Sequence, residues 1–342
     1  MIFNPSKYLF SLTLIMGTLI SMSSTSWLGA WIGLEINLLA FIPLITSCQN
    51  PLSTEASLKY FLIQAFASST LLFSFILMQF MTKINMLFYQ ELLPTLMTSS
   101  LLLKMGAAPF HFWFPGTMEG LSWSNALVLM TWQKIAPLIL LSYLINFNMF
   151  IYAIIITSIT IGCLGGLNQT SLRKLIAYSS ISHLGWMLSG MLIGENLWTL
   201  YFIIYCMLSA ATILVFYTFQ ISYLPQNYLL YNSNPTMKFS MYSLLLSLGG
   251  LPPFIGFLPK WLVIQAMIYS DHYFLTTLMV ITTLVTLFYY IRLTFSAFLL
   301  NSPNLKWNML PMYSSLLLTT ISSSVLLSMI GLMMMTTIWS IH

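Results

Sequence analysis

The sequence predicts an all-α, polytopic membrane protein with about eleven transmembrane helices. Three observations carry that prediction. Of the 342 residues, 58% are hydrophobic and 5% charged, whereas a soluble domain carries about 25% charged residues. The apolar residues fall in runs close to the ~20 needed for one helical crossing of a bilayer. Aromatic residues make up 15% of the chain, as belts at two membrane interfaces require. An open sheet edge cannot be satisfied in lipid, so every crossing is expected to be a helix.

In chain order the candidate spans are 8–25, 26–46, 57–81, 87–114 (interrupted), 121–145, 149–167, 172–192, 196–221, 240–270 (interrupted), 273–299 and 314–339. The apolar run after Lys7 lacks a small-residue cleavage site and is expected to be the first span, not a signal peptide. The longest polar connections fall near 222–239 and 300–313. With no soluble domain and no long linker, residues 1–342 are expected to form a single integral membrane domain. The spacings Gly29-x-x-x-Gly33 and Gly162-x-x-x-Gly166 predict close helix packing.

Charge sets the orientation. With eleven spans the termini lie on opposite faces, and the N-terminal face collects Lys7, Lys59, Arg173, Lys174, Lys238 and Lys306, with Arg292 near the same end of its span. The opposite face has little beyond Lys83. This positive-inside bias places the N-terminus on the side where the chain was made. Glu55, Glu91, Glu119, Glu195 and Asp271 read as solvated loop acids. The net charge of +5 is too thinly spread to suggest a nucleic-acid partner. Cys48, Cys163 and Cys206 lie far apart, which excludes a ferredoxin-type cluster pattern and a disulfide framework. No strand, Gly-rich turn and helix unit for a dinucleotide is present either.

Two interrupted spans organise the chain. Gly106-Ala-Ala-Pro109-Phe110 and Gly250-Leu-Pro-Pro253-Phe254 share the pattern Gly-x-x-Pro-Phe. Pro109 deprives the Met105 carbonyl of its helical partner, and Pro253 does the same to Gly249. Two Gly/Pro-interrupted hydrophobic segments in corresponding halves point to an ion pathway.

Ionisable groups stand beside these breaks. Glu35 falls near the middle of span two, Lys104 just before the first break, Lys134 in span five three residues before Pro137, and Lys260 just after the second break. Unpaired and charged, the four would cost on the order of 10 kcal/mol, so such residues are expected to face the bundle interior or water. A dry site favours the neutral form of an amine, and a nearby carboxylate favours the charged form. Buried lysines can therefore release and regain protons near neutral pH. Glu35 and Lys104 are the candidate pair. His183, in the polar stripe Ser179-Ser180-Ile181-Ser182-His183, is a candidate relay in a chain of ordered water. His111 is a weaker one, and two inner histidines do not supply haem ligation.

The stretch from Gly165 to Gly185, with its core Ala177-Tyr178-Ser179-Ser180-Ile181-Ser182-His183, resembles the signature of the antiporter-like membrane subunits of respiratory complex I. The Lys104–Phe114 and Gly249–Trp261 stretches are similar to the same family. The resemblance covers nearly the whole chain. It implies a fold of two inverted repeats, each containing a broken helix, and lacking the first three helices of larger relatives. It implies proton translocation through Glu35, Lys104, Lys134 and Lys260, with no cofactor bound by this chain. NADH, FMN, iron–sulfur clusters and ubiquinone would be handled by other subunits. Its implied partners are other membrane-arm subunits, including antiporter-like neighbours, and membrane lipids. Its implied location is the mitochondrial inner membrane, N-terminus on the matrix side. One departure stands out: where many relatives carry an acid ahead of the basic pair, this chain has Ser171. Two other readings of the residues are a free-standing cation/proton antiporter, which the scarcity of intramembrane acids disfavours, and a structural spacer whose charges are only paired.

Overall fold

Apolar sequence with few polar partners leaves the backbone to satisfy itself, and the chain does so in helices. The computed structural model describes residues 5–47, 50–84, 92–229 and 235–299, and six positions between 322 and 329. In order the helices are α1 (Pro5–Ser23), α2 (Trp27–Ile45), α3 (Pro51–Ile84), α4 (Leu92–Met105), α5 (Trp113–Gly120), α6 (Trp123–Met130), α7 (Trp132–Ser142), α8 (Met149–Gly166), α9 (Leu172–Ile193), α10 (Glu195–Phe219), α11 (Leu224–Leu229), α12 (Pro235–Gly249), α13 (Phe257–Tyr269) and α14 (Tyr273–Leu299).

Among the described residues six helices, or aligned helix pairs, are long and apolar enough to cross a membrane: those over 27–45, 51–80, 123–142, 149–166, 195–219 and 273–295. Shorter apolar helices flank the two breaks. The predicted count of about eleven is therefore not confirmed. Span 314–339 falls largely outside the described residues, as do Cys48, Glu91, Lys306 and the side chains of Lys83 and Lys238.

The chain divides into two units, Met1–Ile154 and Ile155–His342. In the first, α1 and α2 pack closely because Gly33 offers no side chain where the α1 backbone passes; a Cβ there would lie 2.8 Å from the Gly17 carbonyl oxygen. In the second, Gly162 plays the same part for α8 against Ser182 of α9, where a Cβ would lie 2.6 Å from the backbone nitrogen. Both belong to the small-residue spacings singled out in the sequence. The outward faces are apolar: on α3, Leu62 and Phe66 are 65% and 61% exposed. Water does not favour such a surface, and lipid or an apolar partner does.

Span five holds a feature that Pro137 alone does not announce. The helix is interrupted at Thr131, between α6 and α7, where φ is −110° and ψ −67°. The Thr131 hydroxyl donates to the Leu127 carbonyl at 2.8 Å. This break lies one turn before Lys134.

Candidate functional site

In the first unit α4 ends where Gly106 takes φ +75°, a left-handed conformation that costs glycine little. The Gly106 N–H donates to the Leu103 carbonyl at 3.2 Å and the Ala107 N–H to Leu102 at 3.1 Å. This double closure is a Schellman cap. It leaves the Lys104 carbonyl, one residue beyond Leu103, without a helical donor, and side chains bond to this end of α4. Gln64 Nε2 donates to the Lys104 carbonyl at 3.1 Å, and Trp113 Nε1 to the Leu103 carbonyl at 3.1 Å. The α4 C-terminus is the negative pole of its dipole, and Lys104 stands in that last turn.

Lys104 and Lys134 line one cavity, together with Asn37, Tyr60, Gln64 and Gln133. The cavity offers about 20 Å³ to the centres of water molecules, room for a single water. Both lysines are buried. The Lys134 ammonium lies 5.0 Å from the centroid of the Phe114 ring, within cation–π range. An amide chain fixes the polar wall: Gln133 Nε2 donates to Asn37 Oδ1 at 2.9 Å, and the Tyr60 hydroxyl donates to Gln133 Oε1 at 3.5 Å. Glu35, half-buried on α2, acts electrostatically on Lys104 without forming a direct ion pair with it. His111 is buried inside the break, with Nδ1 3.3 Å from the Pro109 carbonyl.

The second unit repeats the cap and changes the placement of the lysine. Gly250 takes φ +81°, its N–H donates to the Ser247 carbonyl at 3.0 Å, and the Leu251 N–H donates to Leu246 at 3.4 Å. Lys260, in the first turn of α13, reaches back so that Nζ donates to the Gly249 carbonyl at 2.7 Å. The carbonyl released by Pro253 is thus held by the lysine itself. A positive group at a helix N-terminus is unfavourable; placed on the carbonyl end of α12 it is favourable. His183 is buried on α9, with Nδ1 2.8 Å from the Tyr201 hydroxyl. The same face of α9 meets Tyr205 at Ser180 and Tyr290 at Ser179.

Of the residues singled out in the sequence, Glu35, Lys104 and Lys134 belong to the first unit, and Lys260 and His183 to the second. The amides Asn37, Gln64 and Gln133 were missed, although each is a polar residue inside an apolar run. The tyrosines of α10 and α14 were missed because tyrosine in a membrane sequence reads as an interfacial residue. Among the described residues no group of three or more His, Cys, Asp or Glu could hold a metal ion.

Two helices broken at Gly/Pro motifs, each with a buried lysine beside the break, are the pattern of an ion-translocating membrane protein. The family described as NADH:quinone oxidoreductase/Mrp antiporter, transmembrane, matches residues 24–286, and the chain belongs to it. It is 55% identical over 303 residues to NADH-ubiquinone oxidoreductase chain 2 of Anopheles gambiae, covering 88% of this chain and 89% of that one. It is 52% identical over 337 residues to the protein of that name from Aedes aegypti, covering 98% of each. A chain of respiratory complex I from Thermus thermophilus has the same fold, with a TM-score of 0.85 and 25% identity over 96% of this chain and 78% of that one.

Proposed function

We propose that this chain is a core membrane-arm subunit of respiratory complex I, and that it supplies part of the complex's proton path through Glu35, Lys104, Lys134 and Lys260, with His183 as a relay. The observation that carries the path is the shared cavity: two buried lysines face one water-sized space walled by amides. An ammonium at Lys104 gives a proton to a water held there, and that water passes one of its own protons to a neutral amine at Lys134. The amides Gln64 and Gln133 orient the water without competing for the proton. A change of charge at Glu35 alters the proton affinity of Lys104, so coupling is electrostatic and needs no large motion.

In this reading residues 1–342 work as one integral membrane domain in the mitochondrial inner membrane, with the N-terminus on the matrix side. Other membrane-arm subunits and lipids cover its apolar faces. NADH oxidation, FMN, the iron–sulfur clusters and ubiquinone reduction belong to other subunits.

The test is Lys104→Met, which keeps the length of the side chain and removes its titration. The complex should assemble while NADH-driven proton uptake and quinone reduction fall together. Wild-type values for both in an assembled complex would falsify the role of Lys104.

A further inference from the structure

Two buried tyrosine hydroxyls in the second unit make no hydrogen bond of direct geometry. Tyr289 and Tyr290 are 0% and 1% exposed, and neither hydroxyl closes a hydrogen bond to a protein group. A dry, unpaired hydroxyl is costly. Phenylalanine would fill either site without that cost, so fold stability alone does not account for the oxygens.

Their placement does. The two rings pack with centroids 4.6 Å apart, seated on glycines: a Cβ on Gly166 would come 3.0 Å from Tyr289 Cε1, and one on Gly249 3.4 Å from Tyr290 Cδ2. Gly249 is the residue whose carbonyl accepts Lys260 Nζ at 2.7 Å. Cys163 lies within electrostatic reach of Lys260, Tyr289 and Tyr290, which puts the four in one buried neighbourhood. The Tyr290 hydroxyl interacts with Ser179 and with Tyr289 without the geometry of a direct hydrogen bond, and a bridging water would complete these contacts. Ser179 gives its own proton to the Ile176 carbonyl at 2.8 Å, leaving its lone pairs to accept.

We infer that Tyr289 and Tyr290 form a hydroxyl relay that holds water between Lys260 and the serine face of α9. Each hydroxyl accepts a proton on a lone pair while releasing its own to the next oxygen, so charge passes and no phenolate accumulates. The inference rests on the reading of Lys260 as a proton-path residue.

The experiment places Tyr289→Phe and Tyr290→Phe, singly and together, in the chain within its assembled membrane complex reconstituted in vesicles. NADH-driven proton uptake and the solvent deuterium isotope effect on NADH oxidation are measured beside Lys260→Met. Each phenylalanine keeps the ring and removes an unpaired polar atom, so assembly is expected to be unchanged. Proton uptake should fall about tenfold in the double variant, and the isotope effect should rise, which a packing role would not produce. Wild-type uptake and isotope effect in the double variant overturn the relay, and so does failure of either single variant to assemble. If Lys260→Met lowers uptake while both tyrosine variants leave it intact, only the relay falls. If Lys260→Met is also silent, the reading of Lys260 falls with it.

Discussion

Gly250→Ala tests whether the second break is built around its lysine. Gly250 has φ +81°, and an L-residue held in that region costs about 1–2 kcal/mol. The new Cβ would lie 3.0 Å from Cδ, 3.1 Å from Nζ and 3.2 Å from Cε of Lys260. The far end of a lysine yields before backbone does, so the ammonium is pushed off the Gly249 carbonyl that it holds at 2.7 Å. A hydrogen bond from a charged donor contributes about 1.5–3 kcal/mol. The expected loss is therefore about 2.5–5 kcal/mol. In a Lys260→Met background the hydrogen bond is already gone, and the same glycine replacement should cost only the conformational part, about 1–2 kcal/mol. The difference is a coupling energy of about 1.5–3 kcal/mol. The assay is a heating series on the four membranes of this cycle, followed by native separation and quantitation of assembled complex. Gly250→Ala should lower the temperature of half-loss more in the wild-type background than beside Lys260→Met. Equal lowering in both would refute the argument, because glycine and lysine would then act independently.

Two further outcomes follow from the same geometry. Gln133→Leu removes the 2.9 Å bond to Asn37 and leaves a buried amide oxygen unpaired, a loss of about 1–3 kcal/mol; assembled complex should persist at reduced level with proton uptake per complex lowered, and undiminished uptake would remove the amide wall from the mechanism. Gly256→Ala puts a Cβ into overlap with the Ser247 carbonyl of α12, whereas a Cβ on Gly116 meets nothing within 4 Å; native gels should show almost no assembled complex for the first and normal amounts for Gly116→Ala.

Both breaks are visible in the sequence because Gly-x-x-Pro-Phe combines a residue that turns the chain with one that cannot donate. The lysines are visible because an ammonium in an apolar run is too costly to be incidental. What the sequence does not disclose is which partner each group finds. Gln64 is forty positions from Lys104, and only the packing of α3 on α4 brings it to the Lys104 carbonyl. Gln133 and Asn37 are joined across 96 positions, a contact set by which face of α2 meets α7. The interruption at Thr131 has Pro137 nearby, yet it falls six residues earlier, where no glycine or proline marks it. Helix α3 is also longer than its predicted span. It begins at Pro51 and takes in Ser53, Thr54 and Glu55, because proline is well suited to the first turn of a helix.

The two breaks solve one electrostatic problem in two ways. A Schellman cap consumes the carbonyls two and three residues before the last helical residue and leaves the final ones exposed in an apolar interior. In the first unit a neutral donor, Gln64, takes the Lys104 carbonyl while Trp113 adds a second donor to the cap-bonded Leu103 carbonyl, and the Lys104 side chain lines the cavity that it shares with Lys134. In the second unit the lysine serves as the donor, and its ammonium is tied to the backbone that it caps. A lysine relieved of structural duty can change protonation at little cost to the fold, whereas one that caps a carbonyl links its protonation to the geometry of the break. A neutral amine still has two N–H groups, so deprotonation weakens the Lys260–Gly249 bond without abolishing it. The second break is therefore the place where proton occupancy and helix geometry would be most directly linked, and the Gly250–Lys260 cycle measures that link.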